Sequence, residues 1–355
     1  MKVSVSEDLH AFQVLREEWN ALLSHAATNS LFLTWEWQRA WWETFGADKE
    51  LRITVVRDDS GSLVAIAPLF IQETRLDAQA LLPDISMENP LDIPDGTAMR
   101  TMHLIGGTEV SDYLDIISSE EQNQRVWNEL AMALEPSGWQ LLDVRGVPAA
   151  SPSLTSVTEM ARRRGWQVQQ VREDVCPQIQ LPSSWDEYLA TRLDKKQRHE
   201  LRRKMRRAEE EVRVKWRWVD RAGFDAGMES FIQLHKASHP DKNAFMDERM
   251  QTFFRRVSRA ALERDWLKLG ILDYDNQAVA GYLCFDYGGD RLVYNSGFDV
   301  GTYGALSPGI VLLGYLIRDA IETGCKRFDF LQGNERYKYD LGAQDTDVMR
   351  VLVRR

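Results

Sequence analysis

A chain of 355 residues, 44% hydrophobic and 28% charged, is long enough for two ordinary domains and apolar enough to give each a core, which excludes a disordered protein. Its formal net charge of −10 disfavours bulk attraction to nucleic acid or to an anionic membrane. Cys176, Cys284 and Cys325 lie far apart and only His235 and His239 are four residues apart, so neither a disulfide framework nor a metal site is expected.

The opening MKVSVSEDLH lacks the apolar stretch of a signal peptide. The longest apolar run, 310–317, is broken by Gly314 and is too short to span a bilayer. With reduced thiols, these features predict a cytoplasmic protein without a membrane span.

In chain order, residues 7–25 carry Leu9, Phe12, Leu15, Trp19, Leu22 and Leu23 at helical spacing. A second helical stretch, LFLTWEWQRAWWETFG, aligns Trp37, Trp41 and Phe45 in one stripe: a packed aromatic core, or a platform on which a substrate stacks. LRITVVRD and SLVAIAPLFIQE read as a hairpin about DDSGS. Residues 77–100 lack periodicity and predict a long loop, after which TMHLIGG reads as a short strand and turn, followed by SDYLDIIS. A helix over 122–135, the strand WQLLDVRGVP, a helix over 153–165 and the alternating WQVQQVRED complete the first half.

The second half opens near Pro182, with Ser184 and Glu187 placed for a capping box. Residues 192–207 (RLDKKQRHELRRKMRR) hold nine Lys or Arg against two acids: a solvated helix face, or a grip on phosphates. VKWRWVD predicts a strand, GFDAGMESFIQLHKASH and 247–263 predict helices, and 266–299 predict three antiparallel strands with turns at Asp275-Asn276 and Gly288-Gly289. DVMRVLVRR closes the chain as a strand.

An internal echo is visible. LRITVVRDDSGSLVAIAPLF matches WLKLGILDYDNQAVAGYLCF in layout, and GWQLLDVRG matches GCKRFDFLQG, with Asp143 and Asp329 at matching places. It predicts two copies of one α/β unit, over 1–181 and 182–355.

The chemistry-bearing stretch is 291–339. LVYNSGFD leads through TYGALSPG into a helix whose free first-turn amides suit a phosphate or pyrophosphate, with Tyr303 in the approach, Ser307 as cap, Pro308 in the first turn and Gly309 allowing close approach. Beyond it, Asp329 lies in a strand predicted parallel to LVYNSGFD, followed by Glu335, Tyr337 and Lys338. That is either a solvated loop or a general base (Asp329 or Glu335) with a tyrosine acid, Tyr337 or Tyr294.

WEWQRAWWETFG, VAIAPLF, LIGGTEVSDYLD, LRRKMRRAEE, VAGYLCF, SPG before a long helix and, most specifically, DFLQGNERYK resemble the GNAT-superfamily, FemAB-like proteins of the CelD/BcsL type, associated with cellulose biosynthesis. The resemblance covers most of the chain. It implies a tandem GNAT fold, an α/β arrangement of largely antiparallel mixed sheets flanked by helices, with a degenerate N-terminal copy. It implies that TYGALSPG is the pyrophosphate loop, although it departs from the superfamily's Arg/Gln-x-x-Gly-x-Gly/Ala pattern. It further implies acetyl-CoA or another acyl-CoA as co-substrate, no metal, and a small-molecule, glycan or peptidoglycan-precursor acceptor. Aminoacyl-tRNA as donor and a non-catalytic binding module are the alternative expectations.

Overall fold

The computed structural model describes residues 1–75, 91, 93–94, 96–107 and 110–355. Most of the loop expected over 77–100, and part of LIGGTEVSDYLD, lie outside the described residues.

The elements begin with β1 (Lys2–Ser6), α1 (His10–Val14), α2 (Arg16–Leu23), α3 (Trp35–Phe45), β2 (Glu50–Arg57), β3 (Leu63–Arg75), β4 (Ala98–Leu104), β5 (Ile117–Ser118), α4 (Glu120–Ala133), β6 (Leu141–Pro148), α5 (Ser153–Arg163) and β7 (Gln167–Val175). They continue with β8 (Gln178–Gln180), α6 (Trp185–Thr191), α7 (Lys195–Glu211), β9 (Val214–Trp218), α8 (Phe224–Ser238), α9 (Pro240–Phe245), α10 (Glu248–Glu263), β10 (Leu267–Tyr274), β11 (Gln277–Tyr287), β12 (Asp290–Phe298), α11 (Pro308–Glu322), β13 (Arg327–Asp329), α12 (Arg336–Asp340) and β14 (Asp347–Arg354). The sequence expectations omitted β1 and α9, and joined α1 and α2 into one helix.

Two compact units result: Met1–Asp174 with Thr346–Arg355, and Val175–Asp345. This differs from the boundary expected between 181 and 182, because β8 pairs within the second sheet while the closing strand β14 pairs with β6 of the first. The first sheet runs β1-β2-β3-β4-β6-β14-β7 and the second β9-β10-β11-β12-β13-β8. Both sheets are mixed and flanked by helices, so each unit is an α/β sandwich of the expected kind.

The echo is one of topology. In each unit the antiparallel strands are followed by a helical crossover to a parallel strand: β4 to β6 through α4, and β12 to β13 through α11. A further strand then closes antiparallel on the crossover strand, β14 on β6 and β8 on β13. Asp143 faces Leu352 in one register and Asp329 faces Gln178 in the other.

The tryptophan stripe is core. Trp37 and Trp41 are buried, Trp37 Nε1 donates to Ser111 Oγ at 2.8 Å, and Trp35 Nε1 donates to the Phe12 carbonyl at 2.7 Å. In the second unit both hairpins use two-residue turns with positive φ, at Asp275–Asn276 and Gly288–Gly289, matching the strands' right-handed twist. The 304–322 stretch is long and apolar enough to cross a membrane by length and composition, but Val311, Leu312, Leu313, Leu316, Ile317 and Ala320 are buried in the unit's own core. Arg291, wholly buried, holds β12 to α11 by pairing with Asp286 at 2.8 Å and Asp319 at 2.5 Å while its guanidinium lies 4.9 Å from the Trp218 ring.

Candidate functional site

The second sheet opens where β12 and β13 part. Their parallel pairing ends at Leu292 opposite Asp329, while β12 continues to Phe298. From there the chain turns through a 3-10 turn at Gly304–Leu306 into α11.

Ser307 occupies the N-cap position in the left-handed region (φ 52, ψ 53), and its side chain makes no capping hydrogen bond. This corrects the expectation that Ser307 caps the helix: the conformation turns the hydroxyl away and leaves the first-turn amides uncovered. Pro308 stands at the first position, and the first turn carries no acidic residue. The corresponding helix of the first unit, α4, places Glu120 and Glu121 in its first turn. Those carboxylates occupy the positive end of the helix dipole themselves, so of the two crossover helices α11 is the one that favours an anion.

Gly309 is closely packed as well. A Cβ there would stand 3.0 Å from Cδ1 of Phe298, so the ring of β12 lies directly on the first turn of α11. Tyr303 sets its ring edge-on to the buried Tyr274, 5.5 Å between centroids. Helix α7 borders the same loop: Arg207 Nη1 donates to the Ala305 carbonyl at 3.4 Å, and Tyr315 donates to Glu209 at 2.6 Å. Several of the helix's cations pair along its own surface, Arg203 with Glu200, Arg206 with Glu210 and Arg207 with Glu211.

The residues after β13 divide into two roles. Asp329 is 3% exposed; it accepts from Gln178 Nε2 at 2.8 Å and from the Leu331 amide at 2.8 Å. Lys338 is 2% exposed, and its ammonium donates to the carbonyls of Leu331 (3.1 Å), Gln332 (2.9 Å) and Gly333 (2.9 Å) and pairs with Glu335 at 2.9 Å. Where catalytic roles were expected for Asp329 and Lys338, both side chains are occupied in holding the turn at 330–335. That turn contains Leu331 and Gly333 at positive φ, and a Cβ at Gly333 would stand 2.7 Å from Glu335 Oε2. Glu335 remains open, its side chain 58% exposed.

Tyr337 meets Phe330 edge-on at 6.0 Å, and burial pushes its phenol well above the ordinary range, helped by the charge of Glu335. Tyr282 and Cys284 on β11 are likewise raised by burial, and the Tyr282 phenol hydrogen-bonds the Ser296 side chain. Tyr294 lies in other company, its ring packed on Phe254 of α10 and Phe285 of β11.

Two groups had no site role in the sequence reading. Lys242, on α9, donates to the Ser296 carbonyl at 2.7 Å and approaches Ser296 Oγ at 3.3 Å. His235 Nδ1 meets the same carbonyl at 3.0 Å, while its Nε2 is buried without a partner among the described residues. Burial pushes His235 down to about 4 and lowers Lys242, which Glu335 pulls back up. The local signal was Pro240, which begins the short helix that carries Lys242.

The unit thus combines a helix end without a side-chain cap with a strand pair that parts beyond Leu292 and Asp329. Residues 195–339 match the acetyltransferase (GNAT) domain model. Among solved structures the chain is similar to FemX, with a TM-score of 0.62 at 10% identity over 99% of this chain and 97% of that one. It is also similar to a conserved protein of unknown function from Bacteroides thetaiotaomicron VPI-5482 (0.59, 10% identity, 100% of both chains) and to L-PGS from Bacillus licheniformis (0.54, 11%, 96% of this chain and 91% of that one). At such identities the likeness is one of fold. No curated protein matches the chain.

Proposed function

We propose that the protein transfers an acyl group from acyl-CoA to an amine or hydroxyl acceptor, with the donor held in the second unit. The observation that carries this reading is the pairing of an uncapped, acid-free helix end at Ser307–Pro308–Gly309 with the parting of β12 and β13. The helix end takes the pyrophosphate of the donor, and the parted strands receive the thioester. The acceptor's nucleophile forms the new bond to the acyl carbon as the C–S bond breaks. Tyr337, kept protonated by its burial, is the proposed acid for the departing thiolate. Glu335 sits at the open side, and Lys338 fixes the turn that presents it.

The acceptor is a small molecule, or a glycan or peptidoglycan precursor, in the manner of the CelD/BcsL-type, FemAB-like enzymes that the sequence resembles. The site of action is the cytoplasm, where acyl-CoA is made. The first unit serves as a scaffold: behind β4 the place of a donor loop is occupied by Asp115, which accepts from Thr28 (2.7 Å), Ser151 (2.5 Å) and Ser153 (2.5 Å).

The test is thermal stabilisation by acetyl-CoA. Occupancy at 100 times Kd raises stability by about 2.7 kcal/mol, a shift of several degrees. No shift at millimolar acetyl-CoA, with a shift by aminoacyl-tRNA instead, would replace this reading with tRNA-dependent transfer; no shift by either would leave a non-catalytic module.

A further inference from the structure

Lys242 is placed unlike any other lysine described in the second unit. Its ammonium lies half-buried between α9 and β12, with the Phe298 ring 5.8 Å away. It makes no ion pair within 4.0 Å among the described residues; its described polar partners are the Ser296 carbonyl and hydroxyl. A half-buried cation without a counter-ion in contact is costly to a fold, and such groups cluster where chemistry needs them. Its position is fixed by the strand that the donor reading uses: Ser296 and Phe298 lie beyond the point where β12 leaves β13, and Phe298 rests on Gly309.

We infer that Lys242, held on β12 by Ser296 and set against Phe298, is the proton acceptor of the transfer step, its Nζ taking the proton from the attacking acceptor. This rests on the acyl-CoA reading. The acceptor's nitrogen or oxygen forms a bond to the acyl carbon, the C–S bond breaks and its electron pair leaves with the thiolate. The nucleophile's proton passes to Lys242 Nζ, giving an ammonium; the thiolate takes a proton from Tyr337, which solvent reprotonates, and Lys242 returns its proton to solvent.

The charged and titratable groups facing Lys242 are Glu335 on the turn before α12, His235 on α8, and Tyr282 on β11 behind Ser296. Glu335 favours the ammonium; burial opposes it. His235, neutral above about 4, adds no charge at neutral pH. Burial thus favours the neutral amine of Lys242 relative to an exposed lysine, and Ser296 holds the nitrogen in place in either state.

The experiment is competitive labelling of the full chain with acetic anhydride across a pH series, read peptide by peptide by mass spectrometry. Lys195 and Lys196, exposed on α7, serve as internal references. Lys242 is expected to titrate at least one pH unit below them, to shift further down in Glu335→Gln, and to be labelled several-fold more slowly with saturating CoA. A Lys242 midpoint equal to the references, or one unmoved by Glu335→Gln, overturns the assignment. The same samples are tested for thermal stabilisation by CoA. A CoA shift with an ordinary Lys242 midpoint sinks this inference alone, whereas no CoA shift sinks the donor reading and the inference with it.

Discussion

Arg350 grips Asp143 through two hydrogen bonds, Nε at 2.7 Å and Nη2 at 2.8 Å, with both side chains nearly inaccessible to water. The pair ties the last strand of the chain to β6, so the first unit is completed only when the C-terminus returns. Replacing Arg350 with Met leaves a buried carboxylate without its counter-charge and should cost about 3–5 kcal/mol. Denaturant midpoints measure it, and adding Asp143→Asn should recover much of the loss. A single-variant cost under about 1 kcal/mol would show that the pair locks nothing.

Gly297 separates β12 from α8 by the thickness of two backbones. A Cβ there would lie 2.1 Å from the His235 amide nitrogen, an atom of main chain that cannot step aside. Gly297→Ala should destabilise by about 3 kcal/mol or more through overpacking and should displace Ser296. Gly304→Ala, whose Cβ meets nothing within 4 Å, is the control and should stay within about 0.5 kcal/mol. Equal stabilities for the two would contradict the close approach.

Lys338 separates a positioning role from a catalytic one by stability alone. Lys338→Met strands the carbonyls at 331–333 and should cost about 3 kcal/mol. Lys338→Arg should recover less than half, since a planar guanidinium cannot reach three convergent carbonyls. Unchanged unfolding midpoints with lost turnover would instead return Lys338 to the reacting groups.

Acid should weaken the fold through His235. Its folded value of about 4 lies below the ordinary 6.5, so the unfolded chain binds more protons between them. Stability is therefore complete above about pH 6.5 and declines as pH falls toward 4, at no more than about 1.4 kcal/mol per pH unit. His103, also lowered by burial, acts in the same direction from the first unit. His235→Gln should flatten part of that slope in thermal melts between pH 4 and 7; an unaltered slope would assign the effect elsewhere.

Gly309→Leu tests the donor site directly. The branched side chain must displace Phe298 from the first turn of α11, and the stabilisation by acetyl-CoA should disappear while the protein still melts cooperatively. A full-sized shift in this variant would move the donor away from the α11 terminus.

The sequence by itself determined the alternation of the strands, the two turns at Asp275–Asn276 and Gly288–Gly289, the aromatic core of α3 and the doubling of the unit. Each of these rests on a period or a turn preference that a few neighbouring residues express. It also placed the start of α11, because Ser307–Pro308–Gly309 before an apolar run is a local signal. Tertiary structure decided the rest. Local sequence cannot say that Lys338 turns inward to three carbonyls, that Asp329 is held by Gln178 on β8, or that Ser307 leaves its helix uncapped. Nor can it bring Lys242 and His235 to one carbonyl of β12, since that meeting depends on Gly297 letting a helix backbone touch a strand. The closing strand is the plainest case. DVMRVLVRR reads as a strand anywhere, but only the buried charge of Asp143, waiting on β6 for Arg350, assigns it to the first unit.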